Sequence, residues 1–201
     1  LSHTLINDWK FSRQVFEHGP KSAFNEIIET ISDPLLIAKD QASVMKELRI
    51  VRRRCAFAIA MADLTGQWPL TDIIEALSNF AEATISAVVS HLLHHGQKTG
   101  EIELSDPSQP SRDSGFIVLG MGKLGAKELN YSSDVDLILL FDNEKTQYIG
   151  KRTAQEFFVR LAHDLVKILE ERTTDGYVFR TDLRLRPDPG STPPVLSTLA
   201  A

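Results

Sequence analysis

Between Gly115 and Asp142 the chain reads GFIVLGMGKLGAKELNYSSDVDLILLFD. This stretch restricts the fold more than any other, because it sets a glycine-rich turn and two alternating carboxylates between two apolar runs. Residues 116–119 and 135–141 are short, apolar and rich in β-branched side chains, and they predict two buried strands. The second is too apolar on both faces for an edge strand. Gly120, Gly122 and Gly125 predict a tight turn whose backbone N–H groups can approach a phosphate without side-chain interference. In Ser133-Asp134-Val135-Asp136, the period of two puts Asp134 and Asp136 on one face and turns Val135 and Leu137 to the core.

Two carboxylates held side by side repel each other, so they are stable together chiefly when a cation or a shared proton joins them. A divalent metal is the economical solution. A purely structural alternative has Asp134 capping a turn and Asp136 solvated at the strand end. Gly120-Met121-Gly122-Lys123-Leu124-Gly125 also satisfies the dinucleotide pattern G-x-G-x-x-G, with Asp142 near the ribose-binding distance. That reading fails on length, since a parallel crossover needs a helix of a dozen or so residues and only residues 124–130 are available. It would also leave Asp134 and Asp136 unexplained.

The rest of the chain reads as support. Trp9, Phe11, Val15 and Phe16 predict a short helix, and Phe24, Ile27, Ile28 and Ile31 another, which Ser32-Asp33-Pro34 ends while starting a third. Val44, Leu48, Val51, Cys55, Ile59 and Ala62 predict a long amphipathic helix ending near Gly66. Its Arg49, Arg52, Arg53 and Arg54 are expected on a solvated face. Residues 74–92 predict a second long helix antiparallel to it. His91, His94 and His95 have spacing that could ligate zinc, but with no acidic or cysteine partner nearby they read as a helix C-terminus favouring positive side chains. Residues 96–115 break all periodicity, apart from a short edge strand over residues 101–104. The expected organisation is therefore a helical region over 1–98, a linker over 99–114 and a core over 115–201. The core ends without a closing element, as a fragment of something longer would.

Beyond Asp142 a polar loop over 143–150 precedes a helix defined by Phe157, Leu161, Leu165, Ile168 and Leu169. Asp175-Gly176 then predicts a turn into the alternating run 177–186. Alternation sets Asp182, Arg184 and Arg186 on one face, with Leu183 and Leu185 on the buried one. Alone this would be a salt-bridge ladder. Beside Asp134 and Asp136, a third carboxylate completes the oxygen-rich coordination of Mg²⁺, and arginines supply permanently charged phosphate binders.

Gly122-Lys123, a short helix and then Ser133-Asp134-Val135-Asp136-Leu137 resemble the signature of the DNA polymerase beta-like nucleotidyltransferases. The longer strings GMGKLGAKELNYSSDVDL and FRTDLRLRPDPGS are similar to the glutamine synthetase adenylyltransferase/deadenylylase family. The resemblance covers residues 116 to about 196. It implies an α+β polymerase beta-like fold with a small mixed sheet, packed with the preceding helical bundle. It implies metal binding and catalysis by Asp134, Asp136 and Asp182, with two Mg²⁺ ions, and phosphate or nucleotide binding by Gly122, Lys123, Ser133, Arg184 and Arg186. Proteins of this family carry two such modules, one moving AMP from ATP onto a tyrosine of glutamine synthetase and one removing it with phosphate to give ADP. The strings Arg180-Thr181-Asp182 and LRPDPGS, and the segment LRIVRRR…ADLTGQWPL, look more like the removing module. Transfer from ATP, a nucleotidyltransferase of different substrate and a non-catalytic nucleotide-binding module are the alternatives. Implied partners are glutamine synthetase, ATP, ADP, phosphate and the nitrogen-regulatory PII signalling protein, for which no binding surface is readable. Lys123 stands where the wider superfamily usually has serine, and Ala126 where this family often has glycine.

Charge and cysteine content agree with these partners. With 22 Lys and Arg against 27 Asp and Glu, and a net charge of −5, the chain lacks the positive charge of a nonspecific nucleic-acid binder. One cysteine excludes an internal disulfide framework and fits a reducing cytoplasm. No signal peptide opens the chain and no apolar run is expected to span a membrane.

Overall fold

A computed structural model describes residues 1–186 and 188–200; Pro187, inside the string LRPDPGS, and Ala201 lie outside the described residues. Two long helices form the helical scaffold, α5 over Gln41–Leu64 and α6 over Leu70–Lys98, with α1 Ser2–Asn7, α2 Trp9–His18, α3 Pro20–Ser32 and α4 Pro34–Ile37 before them. Local chemistry sets several of their ends. The Asp33 carboxylate accepts from Leu35 N–H (2.8 Å) with Pro34 in the first turn of α4, and Asp40 caps α5 by accepting from Ser43 N–H (3.0 Å). On α2, Phe11 and Val15 are buried, whereas Trp9 and Phe16 remain mostly exposed.

Helix α6 is long and apolar enough by composition to cross a membrane, contrary to the sequence expectation, with a mean hydropathy of 1.2 in its most apolar window. That window is 61% buried inside the protein, so its apolar surface is satisfied by core packing. The same helix buries His91, whose Nδ1–H donates to Ile37 O (2.9 Å). Burial lowers the His91 pKa, so the expectation of a charged residue favoured by the helix terminus is corrected for it.

The α+β expectation holds. Strand β3, Val135–Phe141, is central: β2, Phe116–Gly120, runs antiparallel on one side, and the short strands β5, Thr181–Asp182, and β6, Val195–Ser197, run parallel on the other. Antiparallel pairing of β2 with β3 removes the dinucleotide-fold reading, which needs parallel neighbours. Strand β3 alternates fully buried with half-buried residues. Among the described residues β2 is an edge, and Leu119 is exposed, which corrects the expectation that both strands are buried. A second small sheet pairs β1, Ile102–Glu103, which matches the short strand expected over 101–104, with β4, Gln147–Tyr148, inside the stretch 143–150 expected to be a polar loop.

Helix α8, Ala154–Glu170, covers one face of the main sheet. Thr153 and Glu156 form a complete capping box at its start. Phe158 stacks on Phe116 at 5.2 Å and lies 5.0 Å from Phe141, so one fully buried ring ties α8 to both long strands. Burying such a ring contributes about 1.5–3 kcal/mol.

The arginine run of α5 is not a solvated face. Arg49, fully buried, donates to Met45 O (2.7 Å), Gly176 O (2.9 Å) and Glu171 O (2.5 Å). Arg52 donates to Val178 O (2.5 Å), Arg53 pairs with Asp175 (3.0 Å), and Arg54 grips Asp8 through two bonds (2.6 and 3.1 Å). Three of the four therefore clamp residues 171–178, a hairpin too distant in sequence for periodicity to reveal. Replacing Arg49 by methionine strands carbonyls that the hairpin cannot turn to water, and each such group costs about 1–3 kcal/mol. The expected loss is about 3 kcal/mol, or roughly 10 °C in melting temperature for a chain of this size. Calorimetry showing a shift below about 2 °C would refute this clamp.

Candidate active site

The glycine turn and the carboxylates meet where β2 ends and β3 begins. Helix α7, Gly122–Gly125, is one turn long, as the spacing requires. Met121 N–H donates to Asp136 O (2.8 Å), Gly125 N–H to Met121 O (3.1 Å) and Ala126 N–H to Gly122 O (3.0 Å). The first-turn amides of residues 122–124 have no helical acceptor by construction. Gly122 has φ +53°, and a Cβ there would stand 2.6 Å from Asp136 Oδ2. A Cβ on Gly125 would stand 2.5 Å from Gly120 O. Both glycines are required by close approach, one to a carboxylate and one to backbone.

Strand β3 turns Val135 and Leu137 into the core, at 0% and 1% exposure, and leaves Asp134 and Asp136 on the open face. Asp182 occupies the ladder position directly beside Asp136. The three predicted carboxylates thus occupy neighbouring positions on one sheet face. Their side chains do not converge: among the described residues no three acidic, histidine or cysteine side chains come close enough to enclose a metal ion. Asp134 accepts from Arg180 Nε (2.5 Å), and Arg180 also donates to Ser132 O (3.2 Å). Asp182 accepts from Arg184 through its backbone N–H (2.8 Å), Nε (3.0 Å) and Nη2 (2.5 Å). These bonds from Arg184 hold the Asp182 pKa down at about 2, so this carboxylate stays ionised across the neutral range.

The remaining predicted residues divide. Lys123 is exposed on the short helix beside the carboxylates. Ser133 Oγ donates to Asn130 Oδ1 (2.6 Å), closing the loop before β3. Arg184 is the most solvent-open of the paired arginines, its side chain 82% exposed. Arg186 is spent on its own loop, donating to Thr192 O (3.2 Å), Pro189 O (2.9 Å) and Leu183 O. The run 177–186 is therefore not the long strand its alternation predicts. Only Thr181–Asp182 pairs, because Asp182 captures the Arg184 N–H and turns the chain, which leaves Leu185 exposed.

Sequence reading missed two participants. Arg180 had a signal, since it shares the odd-even register of Asp182 and Arg184 in the alternating run. Glu170, whose carboxylate accepts from Thr181 N–H (2.5 Å) and Oγ1 (2.7 Å), had none.

A glycine turn feeding a strand with alternating aspartates, on a small mixed sheet backed by helices, defines a nucleotidyltransferase-like domain. The profile of the family described as Glutamate-ammonia ligase adenylyltransferase matches residues 2–201, and the chain belongs to that family. Relatives named bifunctional glutamine synthetase adenylyltransferase/adenylyl-removing enzyme include one from Rhizobium meliloti, 51% identical over 82% of this chain. Another from Agrobacterium fabrum is 49% identical over 79%, and one from Bradyrhizobium diazoefficiens 40% identical over 94%. The matched segment spans only 16–19% of the length of these three relatives.

Proposed function

We propose that this chain removes AMP from an adenylylated tyrosine of glutamine synthetase by phosphorolysis, giving ADP and free tyrosine. Placement of Asp134, Asp136 and Asp182 on one face beside the glycine turn carries this reading. Membership of a family whose relatives are named for adenylyl transfer and removal supports the substrate. The choice of removal over transfer rests on the likeness of Arg180-Thr181-Asp182 and LRPDPGS to the removing module.

The donor set suits hard divalent cations: three carboxylates at adjacent positions, two of them already neutralised by guanidinium groups that stand in for cations. Asp134, Asp136 and Asp182 would hold Mg²⁺, two ions by family likeness, and when bound these supply charge neutralisation on the reacting phosphoryl oxygens. The protein's own groups do the rest. Amides of the glycine turn and Lys123 hold the AMP phosphate and keep its phosphorus facing the carboxylate side. Arg184, whose exposed side chain is bonded to Asp182 at the edge of the site, meets the incoming phosphate as Asp182 turns to the cation. A phosphate oxygen forms a bond to the AMP phosphorus as the bond from phosphorus to tyrosine oxygen breaks. The phenolate takes a proton and leaves as tyrosine, and the nucleotide leaves as ADP. Phosphate is already an anion at neutral pH, so no strong base is needed, in keeping with an Asp182 pKa of about 2.

The division into a helical region over 1–98, a linker over 99–114 and a catalytic core over 115–201 belongs to the same proposal, as do a cytoplasmic setting and a PII-type regulator. The test mixes the chain with glutamine synthetase carrying labelled AMP, together with Mg²⁺ and phosphate. Labelled ADP is expected, and it should vanish with Asp134→Asn. Transfer of label from ATP onto unmodified glutamine synthetase, without release, would assign the opposite half-reaction.

A further inference from the structure

Asp182 is the last residue of a very short strand. Strand β5 has two residues, and directly after it the chain turns away under the Asp182 to Arg184 bonds. Ladder pairing with β3 sets Thr181 beside Val135 and Asp182 beside Asp136 over these two residues alone, flanked by Val135 N–H donating to Arg180 O (2.9 Å). Further anchorage comes from the end of α8. Val178 N–H and Phe179 N–H both donate to Leu169 O (2.8 and 3.1 Å). One residue on, the Glu170 carboxylate receives both the N–H and the hydroxyl of Thr181, the neighbour of Asp182.

Glu170 is costly where it stands. It is the last residue of α8, at the negative end of the helix dipole, and is followed by Glu171. Cations are favoured there and carboxylates disfavoured, by about 0.3–1 kcal/mol. Among the described residues no lysine or arginine forms an ion pair with it. Its bonds to Thr181 are what the placement achieves, and they fix the residue that sets Asp182 beside Asp136.

We infer that Glu170 is a positioning residue which, through Thr181, holds Asp182 in register with Asp136 and thereby sets the divalent-cation affinity of the site. This rests on the metal-binding reading of the three aspartates. Groups that orient metal ligands from behind typically govern affinity by 10–100-fold.

The test is Mn²⁺ titration of the 201-residue chain without nucleotide, followed by electron paramagnetic resonance, with melting temperatures recorded for every variant. Glu170→Ala is expected to weaken Mn²⁺ binding by about tenfold. Glu170→Gln keeps an oxygen acceptor for both Thr181 donors and should stay within about threefold of wild type. The deciding comparison is with Asp182→Asn. If Glu170 acts through Asp182, adding Glu170→Ala to Asp182→Asn produces no further loss. Thr181→Val, which removes only the hydroxyl bond, serves should Glu170→Ala not fold; a loss between wild type and Asp182→Asn is expected.

Wild-type affinity in Glu170→Ala and Thr181→Val, with Asp182→Asn impaired, would overturn the role of Glu170 and leave the aspartate site standing. A further loss in the double variant equal to that of Glu170→Ala alone would likewise overturn it. Mn²⁺ binding unaffected by Asp134→Asn and Asp182→Asn alike would overturn the metal reading itself.

Discussion

Replacement of Asp136 by asparagine is expected to reduce adenylyl release by about a thousandfold, the scale on which loss of one preorganised charge interaction acts at a reacting phosphoryl or acyl centre. Asp136 stands between the other two acids, two residues from Asp134 along β3 and directly across the ladder from Asp182. It is also the carboxylate nearest the glycine turn. Neither Arg180 nor Arg184 is bonded to it, so its charge is the one left for substrate-side cations. Asparagine is isosteric and uncharged, so the substitution relieves repulsion among three acids while removing no hydrogen bond that holds the strand. Melting temperature should therefore stay within about 2 °C of wild type, as for most substitutions outside the core. A variant that loses activity only because it unfolds, or one that keeps a tenth of wild-type turnover, would remove Asp136 from the chemistry.

Gly122→Ala should be nearly as damaging, for a different reason. At φ +53° an alanine costs about 1–3 kcal/mol in backbone strain alone. Its methyl group would also lie 2.6 Å from Asp136 Oδ2, so either the carboxylate swings away or the turn opens. Both displacements spoil the approach of the turn amides to phosphate, and activity is expected to fall about a hundredfold with a melting temperature lower by a few degrees. Gly120→Ala is the control. Its Cβ would meet the Leu124 side chain at 3.0 Å, a flexible neighbour that can give way. Equal damage from the two alanines would show that turn flexibility, and not the approach to Asp136, is what matters.

How much of this was readable in the residues depends on the range of the interaction. The strand 135–141 and the helices α5, α6 and α8 follow from periodicity alone, since each side chain's burial repeats at a fixed local interval. The shortness of α7 followed from counting residues between Leu124 and Tyr131. Interactions between distant segments left no such trace. Arg49, Arg52 and Arg53 look like any charged helix face until residues 171–178 fold over them. The run 177–186 alternates like a strand, but a single side-chain bond to the Arg184 N–H outweighs propensity and ends pairing after two residues. At the site, the period of two predicts Asp134 and Asp136 on one face and the ladder sets Asp182 beside Asp136, whereas the register that offers Arg186 to phosphate is overridden by carbonyls of its own loop. Glu170 was invisible because its partner lies across a turn and its residue type is unremarkable at the end of a helix.

The central strand takes its parallel neighbours from residues 181–182 and 195–197, both far downstream of residues 135–141. Such pairing closes slowly, because a long stretch of chain must be ordered first. As the polypeptide leaves the ribosome, β3 therefore waits with one side bare until the stretch beyond α8 has emerged. During that interval an apolar strand offers its backbone to any other nascent chain, and the yield of folded protein depends on how quickly residues 142–197 are translated.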